Sequence, residues 1–380
     1  MASINLQGDT SGSISISAPS VAGSNTLTLP ATTQTLATQN ALGVRNLIIN
    51  GDMRIDQRNA GASVTPTDGL YTVDRWLFRV SQASKLTAQQ VTDAPTGFDY
   101  SLKVTSSSAY SIGSGDFFEC EQRIEGNNVY QLDLGTSDAK TITISFWVKS
   151  SLTGTFGGSL ANVAFNRSYP FEYTISSANT WEKKTVTVAL DTTGTWATDN
   201  TIGLRAQFGL GVGNNWAGTA GSWIATGTWS ATGATSVVGT SGATWQITGV
   251  QLEVGDTATP FEHRPYDMEL ARCQRYYEKS YDIGTVPGTL TQNGNLTTAS
   301  SSVTTAQMAG AYFKVRKRAV PTCTAYNSIS GASGGCYRYS DGANIGLTFN
   351  GVGETAAGRA TLASGQANIY LWHFVADAEL

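Results

Sequence analysis

Four of the nine tryptophans, Trp196, Trp216, Trp223 and Trp229, stand between residues 191 and 243 among Gly, Thr, Ser and Asn. That composition breaks regular elements, so loops or a short β-excursion are expected there. An indole exposed in such surroundings can stack on the apolar face of a sugar ring, with neighbouring Asn and Asp supplying hydrogen bonds. The same rings could instead form a local hydrophobic cluster that holds a long insertion, or meet another subunit. Tyr337 and Tyr339, with Arg338 between them, carry the mixed aromatic and polar chemistry of recognition surfaces. Alternation along a strand would equally turn both tyrosines inward.

Carboxylates offer a second chemistry. A glycosidase needs two facing carboxyls, one an acid and the other a base or nucleophile. Asp116, Glu119, Glu121 and Glu125 lie close in sequence, and a strand would put Glu119 and Glu121 on one face. Paired acids on an exposed face near Arg123 read as solvated charge, so no catalytic residue is assigned. Polysaccharide depolymerisation stands as the lesser alternative. Serine-hydrolase signatures and phosphate loops are absent from the sequence, and Gly209-Leu210-Gly211-Val212-Gly213 lacks both a lysine and a strand–turn–helix context. The run Lys314-Val315-Arg316-Lys317-Arg318 alternates as a strand with Lys314, Arg316 and Arg318 on one face. It suits an acidic polysaccharide, or a charged sheet edge that discourages strand pairing. Cys120 reads as a small buried hydrophobe, while Cys323 and Cys336 could face each other across a hairpin. Cytosolic synthesis favours thiols over a disulfide. His263 and His373 lie far from any Cys-x-x-Cys spacing, so neither a metal nor a cofactor is expected.

Strands must hold these residues in place. Residues 141–148, 184–190, 201–208 and 244–252 alternate, the period-two signature of strands with one buried face. Trp147, Trp181 and Trp245 are read as core residues of such strands, and Trp76, after Asp74-Arg75, as a structural corner. Short strands separated by Gly/Ser/Thr/Asn turns predict a two-sheet sandwich or jelly roll. Residues 265–279 predict the best helix: Pro265 suits the first turn, acids cluster early, and Arg275 and Lys279 come late. Its partly apolar face, Met268, Ala271, Cys273, Tyr276 and Tyr277, covers its own β domain or meets symmetry mates.

The first 44 residues differ from the rest. They carry one charge, Asp9, no aromatic residue, and bursts of alternation at 13–17 and 26–29. Such strands bury too little surface to offset a backbone ordering cost of roughly 1–2 kcal/mol per residue. The low charge speaks against plain disorder. Ile14, Ile16, Leu27, Leu29 and Leu36 are therefore expected to attach or oligomerise an arm completed by other chains, with a short helix over 38–43 closed by glycine. The expected organisation is all-β: an intertwining arm over 1–44, a large jelly-roll β-sandwich over 45–264, a connector helix over 265–279 and a C-terminal β-sandwich over 280–380.

Only 14% of the 380 residues are charged, and the net charge is −4, against ~25% charged in ordinary domains. That balance excludes wrapping nucleic acid, which takes dense Lys and Arg. No apolar run approaches the ~20 residues of a spanning helix, so no membrane insertion is expected. The opening residues lack the basic and apolar segments of a signal peptide, which places synthesis in a cytosol.

Asn46-Leu47-Ile48-Ile49-Asn50-Gly51-Asp52-Met53-Arg54, followed by Tyr71-Thr72-Val73-Asp74-Arg75-Trp76, resembles the opening of jelly-roll domains in bacteriophage tail-fibre and related virion proteins. Residues 245–255 and 257–264 resemble their closing strand, and Ala271-Arg272-Cys273-Gln274-Arg275-Tyr276-Tyr277 continues the likeness. Residues 313–322 and 376–380 look like a tail-fibre tip domain, and the Ile-x-Ile and Leu-x-Leu steps of the arm are similar to virion-attachment ends. The opening is also similar to jelly-roll carbohydrate-binding modules, in which a Glu shortly after Asn-Gly-Asp helps hold a structural calcium. Arg54 stands near that place here, and Gln251 and Glu253 replace an Asp of the closing strand; no calcium site is expected. The resemblance implies a non-enzymatic tail fibre, homotrimeric, synthesised in the host cytoplasm and resident in the virion tail. Its arm would bind tail or baseplate proteins and its β domains would recognise host surface polysaccharide. A purely structural virion connector or decoration protein is the alternative.

Overall fold

The computed structural model describes residues 3–7, 11–17, 45–300, 307–363 and 367–380. Leu27, Leu29, Leu36 and the helix expected at 38–43 lie outside the described residues. The chain forms two units, Met1–Gly43 and Val44–Leu380.

In the first unit β1 (Ser3–Gln7) pairs antiparallel with β2 (Ser13–Ser17). The register sets Ile4 opposite Ile16 and Leu6 opposite Ile14, and sets Ser3, Asn5 and Gln7 opposite serines. The aliphatic pairs thus alternate with the polar ones along the ladder.

The second unit opens with β3 (Leu70–Tyr71), β4 (Leu77–Val80), β5 (Leu86–Val91), β6 (Ser101–Ser106) and β7 (Phe117–Glu125). Next come β8 (Thr141–Ser150), β9 (Gly154–Ala161), β10 (Ser168–Ile175), β11 (Glu182–Ala189) and β12 (Ile202–Val212). The short β13 (Ala217–Gly218) and β14 (Ser230–Ala231) precede β15 (Thr244–Val254). They build a jelly-roll sandwich: a six-stranded sheet, β10-β9-β12-β7-β4-β3, faces a five-stranded sheet, β11-β8-β15-β6-β5. Alternation explains the filling. Ile142, Ile144, Phe146 and Val148 of β8 share one core with Cys120 of β7, Phe208 of β12 and Trp245 of β15. Trp76 is fully buried and donates its indole N–H to the Asn50 carbonyl at 3.0 Å.

Two tryptophans depart from the expected core positions. Trp147 is half-buried on the outer face of β8, because its neighbours Phe146 and Val148 take the inner one. Trp181 precedes β11 and is also half-buried, with the Lys149 ammonium 5.0 Å from its ring centroid.

Helix α1 (Tyr266–Gln274) stops short of the segment expected to be helical. Residues Tyr277–Lys279 form β16 instead, because the chain's final strand offers them backbone partners, Tyr277 opposite Asp377 and Lys279 opposite Val375. Cys273 and Tyr276 pack on Ile49 and Ile55, so that part of the apolar face covers the chain's own jelly roll, while Met268 stays exposed. Then follow β17 (Leu296–Ser300), β18 (Gln307–Tyr312), β19 (Thr322–Asn327), β20 (Gly335–Arg338), β21 (Asn344–Val352), β22 (Ala356–Leu362) and β23 (Asn368–Asp377). With β16 they make one eight-stranded sheet. Residues from β19 to β23, among them Cys336, Leu347, Leu362 and Trp372, enclose a second core. The C-terminal β-sandwich thus draws all its strands from one continuous hydrogen-bonded sheet.

The basic run is not a strand. β18 ends at Tyr312, and residues 313–320 follow outside any strand. Lys317 is fully buried and pairs with Glu278 at 2.6 Å, while Arg318 donates to the carbonyls of Asn200 and Ala378, each at 2.8 Å. With Lys317 buried and the half-buried Arg318 spent on specific carbonyls, only Lys314 and Arg316 of the run stand exposed, so the expected three-cation face does not form. Cys120, Cys273, Cys323 and Cys336 are free thiols.

Arginines fasten the chain's end to the jelly roll. Arg58 reaches Asp377 and Glu379, each at 3.0 Å. Arg75 pairs with Glu379 and donates to the Arg123 carbonyl at 2.5 Å, and Arg123 donates to the Leu380 carbonyl at 2.6 Å.

Candidate functional site

Period-two geometry puts Phe117, Glu119, Glu121 and Arg123 of β7 on the outward face of the six-stranded sheet. The register sets Arg79 of β4 opposite Glu119, and Arg205, Gln207 and Gly209 of β12 opposite Arg123, Glu121 and Glu119. Residues 213–243 fold over one end of this face. A Cβ at Gly157 or Gly209 would stand only 2.3 or 2.5 Å from Ser230 Oγ, so glycine at both positions lets β14 rest directly on the sheet. The Thr228 hydroxyl bonds those of Ser159 at 3.1 Å and Ser168 at 2.9 Å.

Four rings gather at this covered end. The Trp229 centroid lies 4.0 Å from Phe117, 4.6 Å from Trp216 and 5.2 Å from Phe165. The Arg79 guanidinium is 5.7 Å from the Phe117 and Trp229 centroids, and that of Arg205 is 5.8 Å from Phe165. Trp229 is the buried floor; Phe117, Phe165 and Trp216 are half-buried, and Asn214 and Asn215 are exposed at the rim. The patch combines aromatic faces with cationic and amide donors.

Trp196 and Trp223 form a separate pair, edge to face at 5.4 Å, with Tyr169 5.5 Å from Trp223. Trp196 and Trp229 are only 9% and 5% exposed, so the expectation of an exposed ring is corrected for both. Packing against other aromatics removes more apolar surface from water than an isolated loop position would allow. Indole N–H groups also tie the insertion down, Trp216 to the Gly115 carbonyl at 3.0 Å and Trp223 to that of Ala189 at 2.8 Å. A cavity of about 200 Å³ adjoins Trp196, lined also by Tyr130, Asp133 and Thr136. Tyr337, on β20, is half-buried and Tyr339 is exposed. Among the described residues no ring contact joins either to the tryptophans. Ile14 and Ile16 lie in β2.

Glu119 and Glu121, read from sequence as solvated, are both fully buried. The insertion and the chain's end cover a face that strand periodicity alone leaves open. Glu121 is well compensated, by Arg123 at 2.6 Å, Arg205 at 3.1 Å and the Gln207 amide at 3.2 Å. Neither oxygen of Glu119 has a hydrogen-bond partner among the described residues, and Gln207 Oε1 and Ser230 Oγ are in the same condition. Burial, and then the charge of Glu121, hold the Glu119 carboxyl well above the ordinary 4.5 against the pull of Arg79, Arg123 and Arg205.

A pH test follows. A carboxyl whose folded-state pKa is raised binds its proton more tightly when folded, so its stabilising contribution is complete below the unfolded value and is lost as pH rises toward the folded one. Glu119→Gln removes that slope. Relative to wild type, the variant is expected to gain up to about 1.4 kcal/mol per pH unit above pH 4.5 until Glu119 itself ionises. Urea unfolding from pH 4 to 8 measures this; a difference that stays constant with pH contradicts it.

Asp52 pairs with Arg54 at 3.1 Å. Among the described residues no group of three His, Cys, Asp or Glu is placed to hold a metal ion, and no helix is long and apolar enough to cross a membrane.

The fold is an all-β, jelly-roll sandwich followed by a second β-sandwich. No family model matches the sequence, and no curated protein does. Similar solved structures include the enzymatically active domain of tailspike protein 4 of bacteriophage CBA120, at 12% identity and a TM-score of 0.29, over 53% of this chain but 22% of that one. The carbohydrate-binding module TmCBM61, solved with β-1,4-galactotriose, matches at 10% identity and a TM-score of 0.29, over 56% of this chain and all of its own. The family 11 carbohydrate-binding module of Clostridium thermocellum, in complex with a mixed-linked tetrasaccharide, matches at 12% and 0.27, over 53% of this chain and 98% of its own. TM-scores of this size transfer neither ligand nor residue role to this chain.

Proposed function

We propose that this chain is a non-catalytic recognition protein of a phage tail fibre, binding host cell-surface polysaccharide through its jelly roll. The observation that carries the reading is the patch of Phe117, Phe165, Trp216 and Trp229 flanked by Arg79 and Arg205. Half-buried rings beside guanidinium and amide groups match the mixed apolar and hydroxylated faces of a pyranose. The β1–β2 hairpin supports the rest of the proposal: its aliphatic pairs, with Leu6 54% exposed, are marginal alone and suited to completion by other copies or by tail or baseplate proteins. We assign it homotrimer formation and attachment to the virion tail, with synthesis in the host cytoplasm.

Trp216→Ala tests the recognition role. Truncating an aromatic anchor costs about 2 kcal/mol, so adsorption affinity is expected to fall about thirty-fold while particles still assemble. Assembly failure with no change in binding by the isolated chain would favour a structural connector or decoration protein instead.

One observation favours a lower, enzymatic reading. Glu119, unpaired among the described residues and held above the ordinary carboxyl range by burial and the charge of Glu121, and Glu121, ion-paired with Arg123 and Arg205, are two carboxyls in divergent environments, the arrangement an acid and a base use. Both are fully buried, which places cleavage second. Release of shorter oligosaccharides from envelope glycans, abolished in Glu119→Gln, would reverse that order.

A further inference from the structure

On the jelly roll, away from the tryptophan insertion, a cleft of about 370 Å³ opens between Arg54, Asp56, Gln90, Asp99 and Tyr100 on one side and Tyr266 of α1 with Ile283 and Gly284 on the other. Its size falls within the roughly 300–1,000 Å³ of small-molecule sites. We propose that this cleft is a second carbohydrate site, taking an uncharged pyranose unit; the proposal deepens the glycan-recognition reading and rests on it.

Charge decides the class of sugar. The Arg54 guanidinium is already paired with Asp52 at 3.1 Å and donates to the Arg264 carbonyl at 2.5 Å. Asp56 accepts the backbone N–H groups of Asn59 at 2.9 Å and Gly61 at 2.8 Å. Asp99 is exposed and has no ion pair or hydrogen bond among the described residues. The mouth therefore carries an uncompensated negative charge, which repels uronic acids and sialic acids and accepts paired hydroxyl donors. Gln90 spends its Nε2 on the Met53 carbonyl at 2.5 Å, leaving Oε1 as a further acceptor. Tyr100, half-buried, and Tyr266, 43% exposed, supply ring faces from two different elements. The Arg54 guanidinium lies 5.7 Å from the Tyr266 centroid and steadies that ring.

The test is saturation-transfer NMR on the full chain with the methyl glycosides of glucose, galactose, mannose and N-acetylglucosamine, and with glucuronic acid as the acidic comparison. In a Trp216→Ala background, which disables the tryptophan patch, at least one neutral glycoside is expected to bind, and at least ten-fold more weakly once Asp99→Ala or Tyr100→Ala is added. Asp99 is a surface side chain, and thermal unfolding of Asp99→Ala confirms that the fold is kept. Binding that survives both cleft variants, or a preference for glucuronic acid, overturns the assignment. Binding lost only in Trp216→Ala overturns the cleft and leaves the tryptophan patch as the glycan site. Absence of binding by every glycoside removes the cleft; if Trp216-dependent adsorption to cells is absent too, the glycan reading falls with it.

Discussion

Arg264→Ala is expected to destabilise the second unit by about 3–5 kcal/mol, the usual loss when one partner of a buried ion pair is removed. The Arg264 side chain is 4% exposed and faces Glu269, 4% exposed, at 3.0 Å. It also donates to the Ile48 carbonyl at 3.1 Å, to Glu262 at 3.1 Å and to the Asn46 carbonyl. One guanidinium thus joins the segment over residues 46–48, the residues after β15 and the first turn of α1. Alanine would leave a buried carboxylate without its cation and two carbonyls without donors. Glu269 also accepts the backbone N–H of Asn50, so the damage should reach the loop over residues 50–53. Arg264→Lys keeps the charge but loses the fork that reaches several acceptors at once, and should fall between the two. Urea unfolding midpoints at pH 7 measure all three; a loss below 1 kcal/mol for alanine contradicts the argument.

Arg75→Ala should do comparable damage, about 3–5 kcal/mol, at the joint between the jelly roll and β23. The Arg75 side chain is 1% exposed and pairs with Glu379, 6% exposed; its guanidinium lies 3.5 Å from the centroid of the Tyr276 ring. Its backbone is left-handed, with φ at +73°, a conformation that costs a non-glycine residue roughly 1–2 kcal/mol. Two substitutions separate the terms. Arg75→Gly loses the same ion pair but sheds the backbone strain, so it should be less damaging than Arg75→Ala by about 1 kcal/mol. In a double-mutant cycle with Glu379→Ala, a coupling of at least about 1 kcal/mol is expected between the pair. Hydrogen exchange should quicken in β16 and the end of β23 first, because Tyr277 pairs with Asp377 there. Equal stability of the glycine and alanine variants would contradict the strain argument; additive effects would contradict the pairing.

The strands of the jelly roll were legible because their signal is local. Residues 141–148 and 244–252 alternate, and a sheet with one buried face demands that alternation. Parity also put Glu119 and Glu121 on one face. It could not say what lies on that face. Trp147 shows the same limit from the other side: periodicity finds the strand, while the inner face is chosen by which neighbours, here Phe146 and Val148, fill the core. Helix pattern over 265–279 was a local preference, and β23, about a hundred residues later in the chain, turned its last residues into β16. Lys314 to Arg318 alternated as a strand does, yet Glu278 draws Lys317 into the interior, where an ion pair outweighs a periodic pattern.

By itself, the amino-acid order determined an all-β chain, its main strands, a short helix near 266 and an arm of alternating aliphatic residues, since each of these depends on neighbours within a few positions. Tertiary structure alone decided the burial of Glu119, the packing of Trp196 and Trp229, the cleft beside Tyr100 and the arginine clasp on Glu379. Those features come from contacts between segments far apart in sequence, such as 117–123 with 228–231 and 377–380, and burial is a property of what lands on a surface, which periodicity does not encode.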